Sequence, residues 1–181
     1  MASISVAGDT SGSITIAAPN VAGTNTLTLP ANTGTVLTSA SNTNFPAGSV
    51  LQVVNAVTAT QASTTGGTLV DTNLTASITP SSSSNKILVL VNQFGGKDAN
   101  CAYKLRLFRG ATDIGGSDYV MFTNTTLNVQ GLSYSLAVLD SPSTTSSTTY
   151  KTQIAISTGS GTVYAQVNNG QSSITLIEVK G

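Results

Sequence analysis

The chain contains no histidine and no tryptophan, and it has one cysteine and only seven basic and seven acidic residues in 181. Without histidine it lacks the side chain that titrates unperturbed near neutrality, and with it the Ser–His and Cys–His nucleophile pairs. The commonest metal ligand is missing as well. A lone Cys101 makes no internal disulfide. Set between Asn100 and Ala102, it reads as a small structural thiol with no activating partner in sequence. The glycines fall at turn positions and form no phosphate-cradling or dinucleotide pattern. Opposite charges cancel to a formal net of zero, which argues against nucleic acid and anionic membranes, since both reward basic patches. The longest apolar run, 87–91, is far below the ~20 residues of a membrane helix. No basic segment followed by an apolar core opens the chain, so neither membrane insertion nor a signal peptide is expected, and synthesis in a cytoplasm is.

Charged residues make up 8% of the chain, against roughly 25% in ordinary globular proteins. Between Asp9 and Asp71 there are none. Serine and threonine take their place. Disorder by self-repulsion needs high net charge and is excluded. Threonine suits strands, while serine and asparagine suit turns, so the composition predicts an all-β protein with hydroxyl-rich solvent faces. Low surface charge also favours association between copies.

Two regions follow from the pattern. Residues 1–48 read as an extended N-terminal β arm or stem. Ile4 and Val6 alternate with serines, and SITIAAPN at 13–20 is loosely repeated as TLTLPAN at 26–32. The aliphatic pairs Ile14/Ile16 and Leu27/Leu29 lead to Pro19 and Pro30, where ladder pairing stops. Units this short have little with which to bury a face alone, so Ile4, Val6, Ile14, Ile16, Leu27 and Leu29 are the candidate attachment residues.

Residues 49–181 read as a β-sandwich. About nine strands are predicted, at 50–59, 68–79, 86–94, 102–109, 118–122, 133–139, 149–157, 162–167 and 173–179, with Gly, Pro, Ser and Asn turns between them. The 87–91 run is apolar at every position, which predicts a central strand covered on both faces. Residues 110–117 read as a turn-rich connection. No segment shows a helical period.

Chemistry has few carriers here, and no catalytic, cofactor-binding or metal-ligating residue is assigned. Asp113 and Asp118 flank Gly115-Gly116 and read as solvated loop acids, the alternatives being a shared cation or a glycosidase pair. Lys104, Arg106 and Arg109 share one strand, with Lys97 near, and form the only basic cluster. They read as a solvated strand face or as a contact patch for a neighbouring subunit or an acidic glycan. Tyr134, Tyr150 and Tyr164 read as core and rim residues in preference to a sugar-stacking platform.

The stretch SITIAAPNVAGTNTLTLPANTGTVLTS at 13–39 resembles a segment of tailed-bacteriophage structural proteins, in which strings of the type ITI-x-AP…T-x-TLP-x-x-TGTVLT precede a terminal β domain. Residues 50–179, through ITPSSSSNKILVLV, LRLFRGATDIGG and SSITLIEVKG, are similar to the terminal jelly roll of such proteins. They are also similar to the homotrimeric jelly rolls of the tumour-necrosis-factor and complement-head type. The resemblance implies an antiparallel jelly-roll β-sandwich that trimerises and a non-enzymatic place on the virion surface, after synthesis in the host bacterial cytoplasm. The partners it implies are further copies of the chain and the phage major capsid protein or other virion proteins. The arm is short, which favours a capsid decoration (cement) protein or short head fibre. The alternative is a short tail fibre that recognises host surface glycan through loops 95–100, 110–117 and 140–148.

Overall fold

The computed structural model describes residues 3–7, 10–17, 23, 24, 31, 45–122 and 130–181. The chain separates into two compact units, Met1–Val36 and Leu37–Gly181. In the first unit, β1 (Ser3–Ala7) and β2 (Ser13–Ala17) form an antiparallel hairpin. Alternation sets its register, with Ile4 opposite Ile16 and Val6 opposite Ile14. Five-residue strands in a lone hairpin are marginal in water. The second copy of the repeat, with Leu27 and Leu29, lies outside the described residues.

The second unit is built from β3 (Val50–Thr58), β4 (Ala62–Thr64), β5 (Val70–Ile78), β6 (Lys86–Lys97), β7 (Cys101–Arg109), β8 (Thr112–Phe122), β9 (Gln130–Asp140), β10 (Thr148–Gly159), β11 (Val163–Ala165) and β12 (Ser172–Val179). Its one helical element among the described residues is a 3-10 turn at Val167–Asn169. One sheet has the order β5-β10-β7-β8. In the other, β12 and β11 lie end to end along one edge of β6, and β3 and β4 pair outside them. β9 takes the opposite edge of β6 along its whole length. Every ladder is antiparallel, and successive strands pass repeatedly between the sheets, which is jelly-roll winding.

Period-two alternation fills the core. On β5, Thr72, Leu74, Ala76 and Ile78 point inward; on β12, Ser172, Ile174, Leu176 and Glu178 do. Two apolar clusters result. One gathers Leu74, Ile78, Ile87, Val89, Leu107, Tyr150, Ile174 and Leu176, and the other Tyr103, Leu105, Ile154, Val163 and Ala165. The interior also holds a group of hydrogen-bonded polar side chains. Thr152 Oγ1 donates to Gln93 Oε1 at 2.8 Å and sits 2.5 Å from Thr72 Oγ1, while Gln93 Nε2 donates to Ser172 Oγ at 2.9 Å. Gln166, in the orientation its neighbours require, donates to the Thr60 and Thr72 carbonyls. Buried polar groups are tolerated when paired in this way.

Three sequence expectations need correction. Residues 112–117 are strand: the turn is only Gly110-Ala111, with Gly110 at φ +55, and Arg109 pairs Thr112 across it. The glycines that suggested a longer turn serve close approach inside the ladder. A Cβ on Gly116 (φ +136) would overlap the Leu105 carbonyl, and the register slips on either side of that point. The short strand β4 was not anticipated, because Ala62-Ser63-Thr64 has no apolar alternation to announce it. Finally, β6 is central but covered on one face only. Ile87, Val89 and Val91 are buried, whereas Leu90 is 38% exposed and Leu88 half-buried.

Candidate functional site

The charged residues mostly find each other, and nearly always on one sheet. Lys104 and Arg106 alternate outward on β7, where Arg106 Nη2 bonds Asp118 at 2.6 Å, Lys104 Nζ lies 3.3 Å from the same oxygen and Arg106 Nε lies 3.6 Å from Asp113. Burial pushes the Asp118 carboxyl up, but Lys104 and Arg106 outweigh it and hold the group below the usual carboxylate range. Asp113 and Asp118 therefore stand on either side of a guanidinium. On β10 and β5 of the same sheet, Lys151 Nζ meets Asp71 at 2.8 Å and Gln153 Nε2 donates to it at 2.7 Å.

Arg109 does not join Lys104 and Arg106. It lies at the end of β7 and donates from Nη1 to both oxygens of Asp140 on β9, at 2.7 and 2.8 Å. Tyr150 on β10 donates to Asp140 Oδ2 at 2.7 Å. This cluster ties the two sheets together at one end. Tyr150 is fully buried, and burial and the neighbouring carboxylate push its hydroxyl pKa up. Tyr134 and Tyr164 are half-buried and stand apart from it, Tyr164 donating to Asp98. Cys101 is fully buried, its thiol pushed up by burial, and it donates to the Asp98 carbonyl at 3.4 Å.

At the same end of the sandwich, in one cross-strand row with Ile87 and Asp140, Glu178 is buried and accepts four bonds. Ser81 N–H, Ser81 Oγ and Asn85 Nδ2 bond Oε1 at 2.7, 2.8 and 2.6 Å, and Gln52 Nε2 bonds Oε2 at 2.6 Å. These donors fix the 80–85 loop. Among the described residues no three His, Cys, Asp or Glu side chains gather where a metal could be held. No helix among them is long and apolar enough to cross a membrane.

The candidate attachment residues occupy the first unit. Val6 and Ile16 are 59% and 56% exposed, and Ile4 and Ile14 are their cross-strand partners in register.

A further surface was missed by the sequence reading. The outer face of β3-β12-β6-β9 carries the row Val53, Ile177, Leu88, Leu139, each directly opposite the next. Below it run Asn55, Thr175, Leu90, Ala137 and then Val57, Ser173, Asn92, Ser135. None of these residues is charged; Lys86 stands at the rim, opposite Val179. Val53, Val57 and Leu139 are all more than half exposed. An open depression on the same face is lined by Leu90, Asn92, Ser135, Ala137, Ser173 and Thr175. The signal was present in the uninterrupted 87–91 run, but it was read as a strand with both faces packed inside its own domain.

No protein-family model and no curated protein sequence matches the chain. Among solved structures it is similar to the VP2 subviral particle of infectious bursal disease virus, at 15% identity over 74% of this chain and 34% of that one, with a TM-score of 0.42. It is also similar to T=1 particles derived from that virus, at 13% identity over 81% and 36% of the two chains (TM-score 0.43). A third is the Gt strain of the same virus, at 12% identity over 97% and 46% (TM-score 0.37). The chain spans about a third of the length of the first two of these proteins.

Proposed function

We propose that the chain is a non-enzymatic structural protein of a tailed-bacteriophage virion. It acts as a homotrimer on the capsid surface, as a decoration (cement) protein or short head fibre, and is held there by its N-terminal arm, residues 1–48. The observation that carries this reading is the division of labour along the chain. Residues 13–39 resemble a phage structural segment and are uncharged, and all but the last three of them belong to the unit Met1–Val36. Among the described residues, both apolar clusters of the sandwich are built from residues of the second unit.

The mechanism is multivalent burial. Each arm contributes strand edges and exposed aliphatic residues such as Val6 and Ile16, and adds to capsid proteins by backbone pairing. Three arms on one trimer engage adjacent capsid subunits, so modest single contacts sum to firm attachment. A non-catalytic role is supported by the absence of histidine from the chain and by the pairing of Asp113 and Asp118 with cations of their own sheet. Deleting residues 2–40 is expected to leave a folded multimer that no longer associates with virions. Decoration of particles by the truncated protein would refute the arm assignment. Immunolabelling of virions should mark the head, and label confined to the tail would favour a receptor-binding fibre that reads host glycan.

A further inference from the structure

The two sheets of the sandwich present opposite surfaces to the outside. The outer face of β5-β10-β7-β8 holds the Lys151–Asp71, Arg106–Asp118, Arg106–Asp113 and Lys104–Asp118 contacts. The outer face of β3-β12-β6-β9 holds rows of Val, Ile, Leu, Ala, Ser, Thr and Asn. On that face Asn55 Nδ2 spends itself on Thr175 Oγ1 at 2.8 Å, a bond made within the sheet. Four strands ~4.8 Å apart and about seven residues long span roughly 19 by 24 Å, a footprint on the order of 450 Å² before the pleat adds relief. Seven of the twelve residues in these rows are aliphatic, and an exposed apolar cluster on a soluble protein is often an interaction site.

We propose that this face is where copies of the chain meet. The inference rests on the multimeric reading above and deepens it by naming the surface. Two features of the face select a second copy as its occupant. It offers no charge, so a partner gains no ionic handle and must present an uncharged aliphatic surface of its own; among the described surfaces of the sandwich, the faces of neighbouring copies gathered about a common axis supply it. The chain as a whole is formally neutral, so copies approach without net repulsion. The row Val53, Ile177, Leu88, Leu139 supplies the apolar centre. Ser173, Asn92 and Ser135, two rows below, line the open depression and border that apolar row on one side. About 450 Å² from each copy gives roughly 900 Å² at one contact, the size of a weak, concentration-dependent interface.

The test is sedimentation velocity on the full-length chain, with far-UV circular dichroism as the check on folding. The unmodified protein should sediment as a multimer. Leu90→Glu and Leu139→Glu should each give folded monomers, because the outward side chains place a charge in the contact without touching the core. Leu90→Ser, which adds no charge, should weaken association about tenfold and decides the matter where a glutamate variant does not fold. Ser77→Glu, on the outer face of the other sheet, should leave the multimer intact. A monomeric unmodified protein overturns the proposal, and so does a multimer unaffected by all three face variants. A multimer that survives them but is dissociated by Ile16→Glu would place association on the N-terminal hairpin and also overturn it. A monomeric unmodified protein would also remove the homotrimer from the proposed function, whereas a multimer indifferent to the face variants overturns the assignment of this face alone, so the two failures are distinguishable.

Discussion

Ile177 stands directly opposite Leu88 across the β12–β6 ladder, on the outward side of the sheet, with Val53 beyond the one and Leu139 beyond the other. The inward neighbours Leu176, Ile87 and Val89 are fully buried. One sheet thus carries aliphatic residues on both faces, and only the inward set is consumed by the fold. If copies meet at this face as proposed, burying its exposed valine and leucine side chains links stability to association.

That link predicts a concentration-dependent melting temperature. Association stabilises the native state by mass action, so calorimetry over a hundredfold range of protein concentration should show the transition rising with concentration. Leu139→Glu should remove the dependence and leave a transition that is the same at every concentration. By comparison, Leu107→Ala, at a fully buried site, should cost about 2–5 kcal/mol at any concentration, from lost transfer energy plus the cavity.

Glu178 predicts a pH dependence. Burial pushes its carboxyl up, but the bonds from Asn85, Gln52 and Ser81 outweigh this and hold it below its ordinary value of 4.5. A pKa lowered by folding gives stability that is fully present above the unfolded value and is lost as pH falls through the folded one. Denaturant midpoints should therefore decline as pH falls below about 4.5. Glu178→Gln should flatten that part of the profile and cost about 1–3 kcal/mol near neutrality, because its amide turns a donor toward donors. A profile that is identical in both proteins would contradict the assignment.

Asp140 joins β9 to β7 and β10 through Arg109 and Tyr150. With Asp140 10% and Arg109 27% exposed at the side chain, the cluster lies between the surface and buried limits. Asp140→Ala should cost about 1–3 kcal/mol. In a double-mutant cycle with Tyr150→Phe, the two losses should sum to more than the loss of the double variant, since both remove the same 2.7 Å bond. Additive losses would mean that Tyr150 and Asp140 act independently.

Much of the sandwich was legible because alternation along a strand is a local property. The inward sets on β5, β10 and β12 follow directly from the order of residues, as does the exclusion of helices longer than a turn. Failure came where a residue type has two uses. Gly115-Gly116 reads as a turn, yet the pair lies inside β8, where Gly116 lets the backbone pass close to Leu105. The 87–91 run reads as doubly packed, but a sequence does not say whether the second cover comes from its own domain or from elsewhere. Arg109 was grouped with Lys104 and Arg106 by strand membership, although odd and even positions on β7 face different ways. Ion pairing across sheets, such as Arg109 with Asp140, depends on tertiary register and has no local signature. Of the proposed attachment residues, Val6 and Ile16 are seen exposed on a hairpin, and Leu27 and Leu29 fall outside the described residues.

The most direct measurement is a reconstruction of particles made by the phage proposed to encode this chain. The account predicts threefold clusters of the sandwich on the head, with uncharged faces of β3-β12-β6-β9 turned toward one another and N-terminal segments running into the capsid shell. Particles that lack the chain, or single copies with that face bare to solvent, would contradict it.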